Sequence, residues 1–186
     1  MRHEPQVSDG ISFSSPLVDF VVCARNNRGI ISSTLEGIAR QTVKEFTCTL
    51  VDDLSTDGTP ELVRERFPWV EVVVKDKHTG PSPSRNIGLS RGSAKFIVFL
   101  DSDATLDPRW TEAQIEFMNS DPTIGIACGK LLYAPLPEIL YAAYGAMNRY
   151  GVGWDGGRAQ PAARFTEPRR CLWANTTAMM VRRDVT

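Results

Sequence analysis

The sequence predicts an α/β protein with a mostly parallel central sheet flanked by helices. Short apolar runs rich in β-branched and aromatic residues alternate with segments whose apolar residues recur at helical spacing. The runs are apolar almost throughout, as expected of strands buried on both faces of a parallel sheet. With 186 residues, 42% of them hydrophobic and 23% charged, the chain is long enough for one domain with a substantial core.

The first two thirds of the chain give a regular order of elements. Each predicted strand ends at a polar turn, and Pro60 suits the first turn of a helix. Strands are predicted at residues 18–24, 46–51, 69–74, 95–100 and 124–133, and helices at residues 30–41, 60–66, 82–90 and 108–119.

The regular alternation fades after Tyr133, which suggests three segments. Residues 1–16 are predicted to form a flexible arm, residues 17–130 the ligand-binding half, and residues 131–186 the incomplete start of a second half. Within that last segment, the glycine-rich residues 150–157 are expected to form a mobile loop, and residues 172–182 return to strand-like character.

Charge and cysteine content narrow the class of protein. A net charge of −1 gives no overall field that favours nucleic acid. From Arg158 onward the sequence has six arginines but only two acidic residues, Glu167 and Asp184. This excess of positive charge predicts either a solvated surface or an edge that faces an anion. The four cysteines are widely spaced and only two histidines accompany them, so we expect reduced thiols rather than zinc ligands.

The same features predict the cellular location. The first fifteen residues are polar and lack the apolar core of a signal peptide, and no apolar run approaches the length of a membrane span. We therefore expect a cytoplasmic protein without a transmembrane segment, either free or held peripherally at the inner face of the membrane.

Polar residues follow three of the predicted strands, where ligands bind in open α/β sheets. The first strand ends in Cys23, Ala24 and Arg25, and the fourth in Asp101, Ser102 and Asp103. Two aspartates at i and i+2 can supply oxygen ligands to one hard divalent cation that keeps phosphates or waters on its other faces. The alternative is turn chemistry, since Asp and Ser side chains bond their own backbone.

The second strand ends in Asp52 and Asp53, which can accept hydrogen bonds from a ribose or a nucleobase. Arg85 lies near the start of a predicted helix, where it can contact phosphate oxygens or form a salt bridge to a strand-end aspartate. Neither a phosphate-binding loop of the Walker type nor a dinucleotide fingerprint occurs in the sequence.

Four segments, in the same order and at similar spacing, resemble family 2 glycosyltransferases. They are VDFVVCARN at 18–26, VDDLSTDGT at 51–59, GPSPSRNIGL at 80–89 and FLDSDA at 99–104. The resemblance implies a GT-A fold, a Rossmann-like sandwich, and a donor in which UDP, GDP or dTDP carries the sugar. It also implies a Mn²⁺ or Mg²⁺ ion and transfer to a hydroxyl acceptor, a glycan or lipid-linked molecule, with inversion at the anomeric carbon. Residues 17–130 would then form the half that binds the nucleotide-sugar donor, and residues 131–186 the incomplete start of the half that binds the acceptor.

The resemblance also implies roles for individual residues. The residues expected to contact the nucleotide sugar lie at the ends of the first, second and fourth strands and on one helix. Those expected to contact the metal follow the fourth strand. By position, Cys23, Ala24 and Arg25 lie against the base, Asp53 with Asp52 beside it reads the base, Arg85 lies near the diphosphate, Ser102 contacts the nucleotide sugar, Asp101 faces the ribose or metal, and Asp103 is the direct metal ligand.

The sequence departs from the family pattern at three places. Leu54 stands where the family often has glycine, and no further acidic residue follows Asp103. In the family an acidic catalytic base follows a strand like residues 178–183, so the resemblance implies a base beyond Thr186. Asp184 precedes that place and is not assigned as the base.

Two other functions stay open at this stage. Residues 100–105 also resemble the Asp-x-Asp-x-Thr motif of haloacid-dehalogenase phosphatases, although that motif usually follows the first strand of its fold. The third reading is a non-catalytic nucleotide-binding module. Of the later aromatic residues, Trp173 is expected in the core and Trp154 on a loop that could contact an acceptor.

Overall fold

The computed structural model describes residues 15–186, so nearly all of the predicted arm at 1–16 lies outside the described residues. Ten strands and four α-helices follow one another along the described chain, and two short 3₁₀ turns occupy Ala162–Arg164 and Arg183–Val185. The elements are β1 Val18–Ala24, α1 Ile31–Ala39, β2 Phe46–Asp52, α2 Thr59–Arg66, β3 Glu71–Val74, α3 Pro81–Leu89, β4 Phe96–Asp101, α4 Trp110–Ser120, β5 Ile126–Cys128, β6 Leu131–Tyr133, β7 Leu136–Ala142, β8 Tyr144–Met147, β9 Gly153–Gly156 and β10 Ala178–Arg182.

Six strands form the main sheet in the order β3-β2-β1-β4-β10-β5. Strands β1 to β4 are parallel, whereas β10 runs antiparallel to both of its neighbours. The predicted α/β class with a mostly parallel sheet is confirmed. The order reverses between β1 and β4, and such a reversal opens a crevice at the carboxyl ends of the two strands.

The core explains why the strand sequences are apolar throughout. Phe96 and Val98 of β4 belong to a large cluster, whereas the alternate residues Ile97 and Phe99 pack on the opposite face. On the first face the cluster includes Leu35, which is fully buried on α1. Burying one such side chain contributes about 1.5–3 kcal/mol. Both faces of β4 are therefore covered, and the strand is held rigidly behind its polar end.

The structure corrects the predicted strand at 124–133. It divides into β5, which lies at the edge of the main sheet, and β6, which pairs with β7 in a separate two-stranded sheet. Gly129 and Lys130 stand between the two strands and belong to neither. The apolar run is continuous in sequence, and only tertiary pairing divides it.

The segment after Tyr133 is more regular than predicted. Strands β7, β8 and β9 form antiparallel pairs, and β9 lies inside the predicted loop at 150–157. The predicted strand at 172–182 is confined to β10, which inserts between β4 and β5. The assignment of residues 17–130 and 131–186 to donor and acceptor binding stays a prediction. In residues 15–186, none of the helices has the length and apolar character needed to span a bilayer.

Candidate functional site

The carboxyl ends of β1, β2 and β4 meet at one pocket of about 320 Å³. It lies at the reversal of strand order, where the backbone of β1 aligns Ala24 with Asp52 and Cys23 with Asp101. The pocket is lined by Cys23, Ala24, Arg25, Asn27, Asp53, His78, Gly80, Pro81, Ser84, Asp101, Ser102 and Asp103. The predicted site residues therefore come together, except that Asp52 and Arg85 are outside this lining.

Asp52 is fully buried and holds the turn after β2. Its carboxylate accepts hydrogen bonds from the Ser55 amide at 2.8 Å and from the Ser55 hydroxyl at 2.5 Å. The Ser55 hydroxyl in turn accepts a bond from the Asn26 amide at 2.8 Å. Asp52 thus ties the turn after β2 to the turn after β1.

Leu54 occupies the centre of this turn in the left-handed region, with φ of 64°. A residue with a Cβ pays roughly 1–2 kcal/mol for that conformation, whereas glycine does not. This is the position at which the sequence departs from the family's glycine, and the backbone keeps the glycine-type conformation despite the substitution.

Asp53 is buried beneath the pocket wall, and both of its oxygens are occupied. One oxygen accepts bonds from the Lys75 ammonium at 2.5 Å and the Thr79 amide at 3.0 Å. The other contacts His78 Nδ1 at 2.6 Å and accepts a bond from the Gly80 amide at 2.8 Å. Burial alone would raise the pKa of Asp53, but these hydrogen bonds outweigh it and hold the pKa well below its ordinary value.

The end of β4 is more open. Asp101 accepts a hydrogen bond from Arg85 Nη2 at 3.0 Å, and its backbone amide donates to the Thr177 carbonyl at 2.9 Å. The Ser102 carbonyl accepts a bond from the buried Thr34 hydroxyl of α1 at 2.9 Å, which fixes the turn. Asp103 is exposed. Of the two roles open to Arg85, the salt bridge is therefore the one present in this structure.

Two carboxylates at the end of β4 could contribute to a site for a divalent cation. Within residues 15–186, no three His, Cys, Asp or Glu side chains cluster as a metal site. Asp101 and Asp103 offer two carboxylates on an open face, which fits Mg²⁺ or Mn²⁺ ions that take their remaining ligands from phosphates and waters. These two carboxylate ligands therefore suit a metal ion that is bound together with a diphosphate.

Cys23 presents its thiol to the pocket but is not a nucleophile. Burial raises the pKa of this thiol to about 11, and the nearby Arg85 charge offsets that effect only in part. The thiol is therefore protonated at neutral pH, and we expect it to act as a small apolar wall of the pocket.

Sequence reasoning missed two residues that organise the pocket. Lys75 is buried and bonds both Asp53 and the Ser84 hydroxyl, at 2.5 and 3.1 Å. His78 is half exposed on the wall and was considered only as a zinc ligand. Both lie between β3 and the segment at 80–89, outside the quoted motifs, and only their contacts with Asp53 reveal their role.

A second cavity, of about 310 Å³, lies at the opposite end of β4. Arg182 and Arg183 line it, but Arg182 donates to main-chain carbonyls and Arg183 to carbonyls and to Asp19. Asp184 also lines this cavity. Because β10 is antiparallel to β4, Asp184 lies at the sheet edge away from Asp101, which agrees with leaving it unassigned as a base.

The aromatic residues of the last segment have both structural and exposed roles. Trp173 packs on the glycines of the β8–β9 pair, and its indole donates to the Ala146 carbonyl at 3.0 Å. Trp154 is half exposed, on β9 rather than in a loop. Arg158 stacks over the ring of Tyr141 at 4.6 Å, so part of the arginine cluster is engaged within the chain.

Comparison with known proteins identifies the family. The profile described as "Glycosyl transferase family 2" matches residues 19–184. The putative teichuronic acid biosynthesis glycosyltransferase TuaG of Bacillus subtilis is 32% identical over 106 residues, which cover 55% of this chain and 42% of that protein. The chain thus spans less than half the length of this relative. The match leaves the phosphatase interpretation of residues 100–105 without support.

Solved structures agree with the fold. The mannosyltransferase PcManGT of Pyrobaculum calidifontis, in complex with GDP-Man and Mn²⁺, aligns with a TM-score of 0.57 at 29% identity, over 63% of this chain and 36% of that one. TarS 1-349 of S. aureus aligns with a TM-score of 0.65 at 21% identity, over 90% of this chain and 47% of that one, which bears on the fold alone. The predicted GT-A fold is confirmed, and the chain belongs to glycosyl transferase family 2.

Proposed function

We propose that the protein is an inverting, metal-dependent glycosyltransferase that moves a sugar from a nucleoside-diphosphate donor to a hydroxyl acceptor. The single observation that carries the proposal is the pocket at the strand-order reversal, where an organised wall around Asp53 faces the open carboxylates Asp101 and Asp103. The family membership and the GDP-Man complex of PcManGT support the same class of donor.

Each side of the pocket has a part in donor binding. The nucleobase lies against Cys23, Ala24 and Arg25, on the side organised by Asp53. The ribose and diphosphate lie toward Asp101 and Ser102. Because Arg85 contacts Asp101 at 3.0 Å, its guanidinium lies beside the proposed position of the diphosphate, and its remaining N–H groups can donate to phosphate oxygens.

Asp103, with Asp101, would hold the Mn²⁺ or Mg²⁺ ion. The bound ion would neutralise charge that grows on the departing nucleoside diphosphate. Mn²⁺ in the PcManGT complex supports the presence of a divalent ion in this class of enzyme. Without the ion, Asp101 keeps its partner Arg85, so the chain itself supplies one positive charge beside the leaving group.

Attack by the acceptor hydroxyl needs a carboxylate that takes its proton. Such general-base catalysis contributes about 10²–10⁴-fold in rate. We assign no such base within residues 15–186, and a base beyond Thr186 stays a prediction. The name of TuaG, a putative glycosyltransferase of teichuronic acid biosynthesis, supports a role in glycan synthesis. A glycan or lipid-linked acceptor belongs to this proposal. A cytoplasmic location, free or at the inner membrane face, belongs to the same proposal.

Calorimetric titration with UDP, GDP and dTDP, each with and without Mn²⁺, tests the donor site. We expect metal-dependent binding of at least one nucleotide. Asp103→Ala should weaken it by roughly 100-fold or more, since even indirect contacts to metal ligands are worth 10–100-fold. The thermal unfolding of this variant should match the wild type, because Asp103 is exposed.

Two outcomes would overturn the proposal. Binding that is equally tight without metal would remove the role of Asp103, and the absence of any nucleotide binding by the folded chain would remove the donor site. Release of nucleoside diphosphate in step with sugar transfer separates an enzyme from a non-catalytic nucleotide-binding module.

A further inference from the structure

His78 stands on the wall of the pocket between two residues of opposite character. Its Nδ1 lies 2.6 Å from the buried Asp53 carboxylate, and its Nε2 lies 3.4 Å from Arg25 Nη1. About half of the side chain, 48%, is exposed. The ring therefore has one edge fixed in the protein and one edge available to a ligand.

The contact with Asp53 fixes which nitrogen of His78 carries the proton. A carboxylate only accepts hydrogen bonds, so Nδ1 must be the donor in this pair. In the neutral ring Nε2 is then an acceptor, and its single lone pair faces Arg25 Nη1 at 3.4 Å. Asp53 itself has no such capacity left, since each of its oxygens already has two partners.

Arg25 complements this acceptor. Its guanidinium donates toward Nε2 at a distance of 3.4 Å, which is long for a hydrogen bond. A ligand N–H group can therefore displace this weak contact at Nε2. A donor and an acceptor thus stand side by side at the base side of the pocket. Uracil, thymine and guanine each present a ring N–H next to a carbonyl, which pairs with this arrangement when the ring N–H faces the histidine.

We propose that His78 Nε2 selects the nucleobase of the donor by accepting a hydrogen bond from its ring N–H, while Arg25 donates to the adjacent carbonyl. This inference rests on the proposed function. Asp53 is in this view a positioning residue, which acts on the base through His78. Cytosine and adenine present a lone pair at the equivalent ring nitrogen, and two facing acceptors leave a polar group unpaired.

The test compares five nucleoside diphosphates, UDP, GDP, dTDP, CDP and ADP, by calorimetry in Mn²⁺. We expect the wild type to bind one of the first three at least tenfold more tightly than CDP or ADP. In His78→Asn, the shorter amide can still donate to Asp53 but has no atom at the place of Nε2. This variant should lose most of that preference, because it lacks both the acceptor for a ring N–H and the acceptor that faces the lone pair of cytosine or adenine.

A change on the ligand side checks the same hydrogen bond without relying on one variant. A UDP or GDP methylated at the ring N–H nitrogen should bind the wild type at least tenfold more weakly than the parent nucleotide. The penalty should be smaller in His78→Asn, since the hydrogen bond lost on methylation is already missing there.

The possible results are distinguishable. If the nucleotide preference is unchanged in His78→Asn, then His78 only holds Asp53, and the inference fails while the proposed function stands. If the wild type binds CDP or ADP more tightly than UDP, GDP and dTDP, the inference likewise fails while the proposed function stands. If no nucleotide binds to the folded wild type, both the inference and the proposed function are wrong.

Discussion

The two acidic strand ends at the pocket differ in how their carboxylates are used. At the end of β2, Asp53 is 5% exposed and has four hydrogen-bonding partners in the chain. At the end of β4, Asp103 is exposed, and Asp101 has one ion pair with a partly exposed arginine. Both ends look alike in sequence, as two aspartates that follow an apolar run.

The difference teaches that a carboxylate can serve a binding site in two ways. A carboxylate with all its lone pairs satisfied builds the wall, because its partners Lys75, Thr79 and Gly80 come from the loop between β3 and α3. An open carboxylate is available to a cation. Removing the first should therefore reduce stability, and removing the second should reduce ligand binding.

The largest expected difference between the ends of β2 and β4 is in unfolding free energy, and it is expected from Asp53→Asn. The change leaves the Lys75 ammonium, which is 8% exposed, without its counter-charge. Breaking a buried pair in this way costs about 3–5 kcal/mol of unfolding free energy. Urea denaturation measures it, and Asp103→Asn is the matched control, expected to stay within about 0.5 kcal/mol of wild type. Equal losses in both variants would contradict the distinction.

The second expected effect is a dependence on pH that belongs to Asp53. Its pKa is lower in the folded chain than the value of about 3.9 expected in the unfolded chain. The stability it contributes is therefore complete above about pH 4 and is lost as the pH falls through the folded pKa. Below about pH 4, the unfolding free energy should fall more steeply with decreasing pH for wild type than for Asp53→Asn, as urea denaturation at each pH would measure. Parallel curves would show that another group controls acid unfolding.

The smallest expected effect sharpens the comparison at the turn after β2. Leu54→Gly should raise the unfolding free energy by about 1 kcal/mol, because it relieves the left-handed backbone at φ of 64° but adds unfolded-state entropy. Leu54→Ala keeps the Cβ and should give no gain. If both variants are destabilised equally, contacts of the Leu54 side chain outweigh the backbone strain.

Much of the parallel part of the main sheet, strands β1 to β4, was predictable from the sequence. Strands β1, β2 and β4 begin and end within one residue of their predicted limits, because long apolar runs buried on both faces stop at polar turns. The short strands β5, β6, β8 and β9 were not predictable as such, since three or four residues carry too little periodicity. Their pairing depends on partners that the local sequence does not identify.

The pocket was predictable in its position but not in its internal contacts. Parallel strands bring their carboxyl ends to one edge, so Ala24, Asp53 and Asp101 were expected together. Whether Arg85 binds a phosphate or Asp101 was open, and the saturation of Asp53 by Lys75 and His78 could not be inferred. Lys75 and His78 lie more than twenty residues from Asp53 in sequence and belong to none of the quoted motifs.

The position of β10 between β4 and β5 has a consequence for synthesis of the chain. The β4 strand must wait for residues 102–177 to be made before its second neighbour exists. At roughly 5–20 residues per second, its open edge is uncovered for about 4–15 s on the ribosome. During that interval the apolar β4 strand is a template for wrong pairing, so translation speed and early chaperone capture should affect how much chain reaches the native fold.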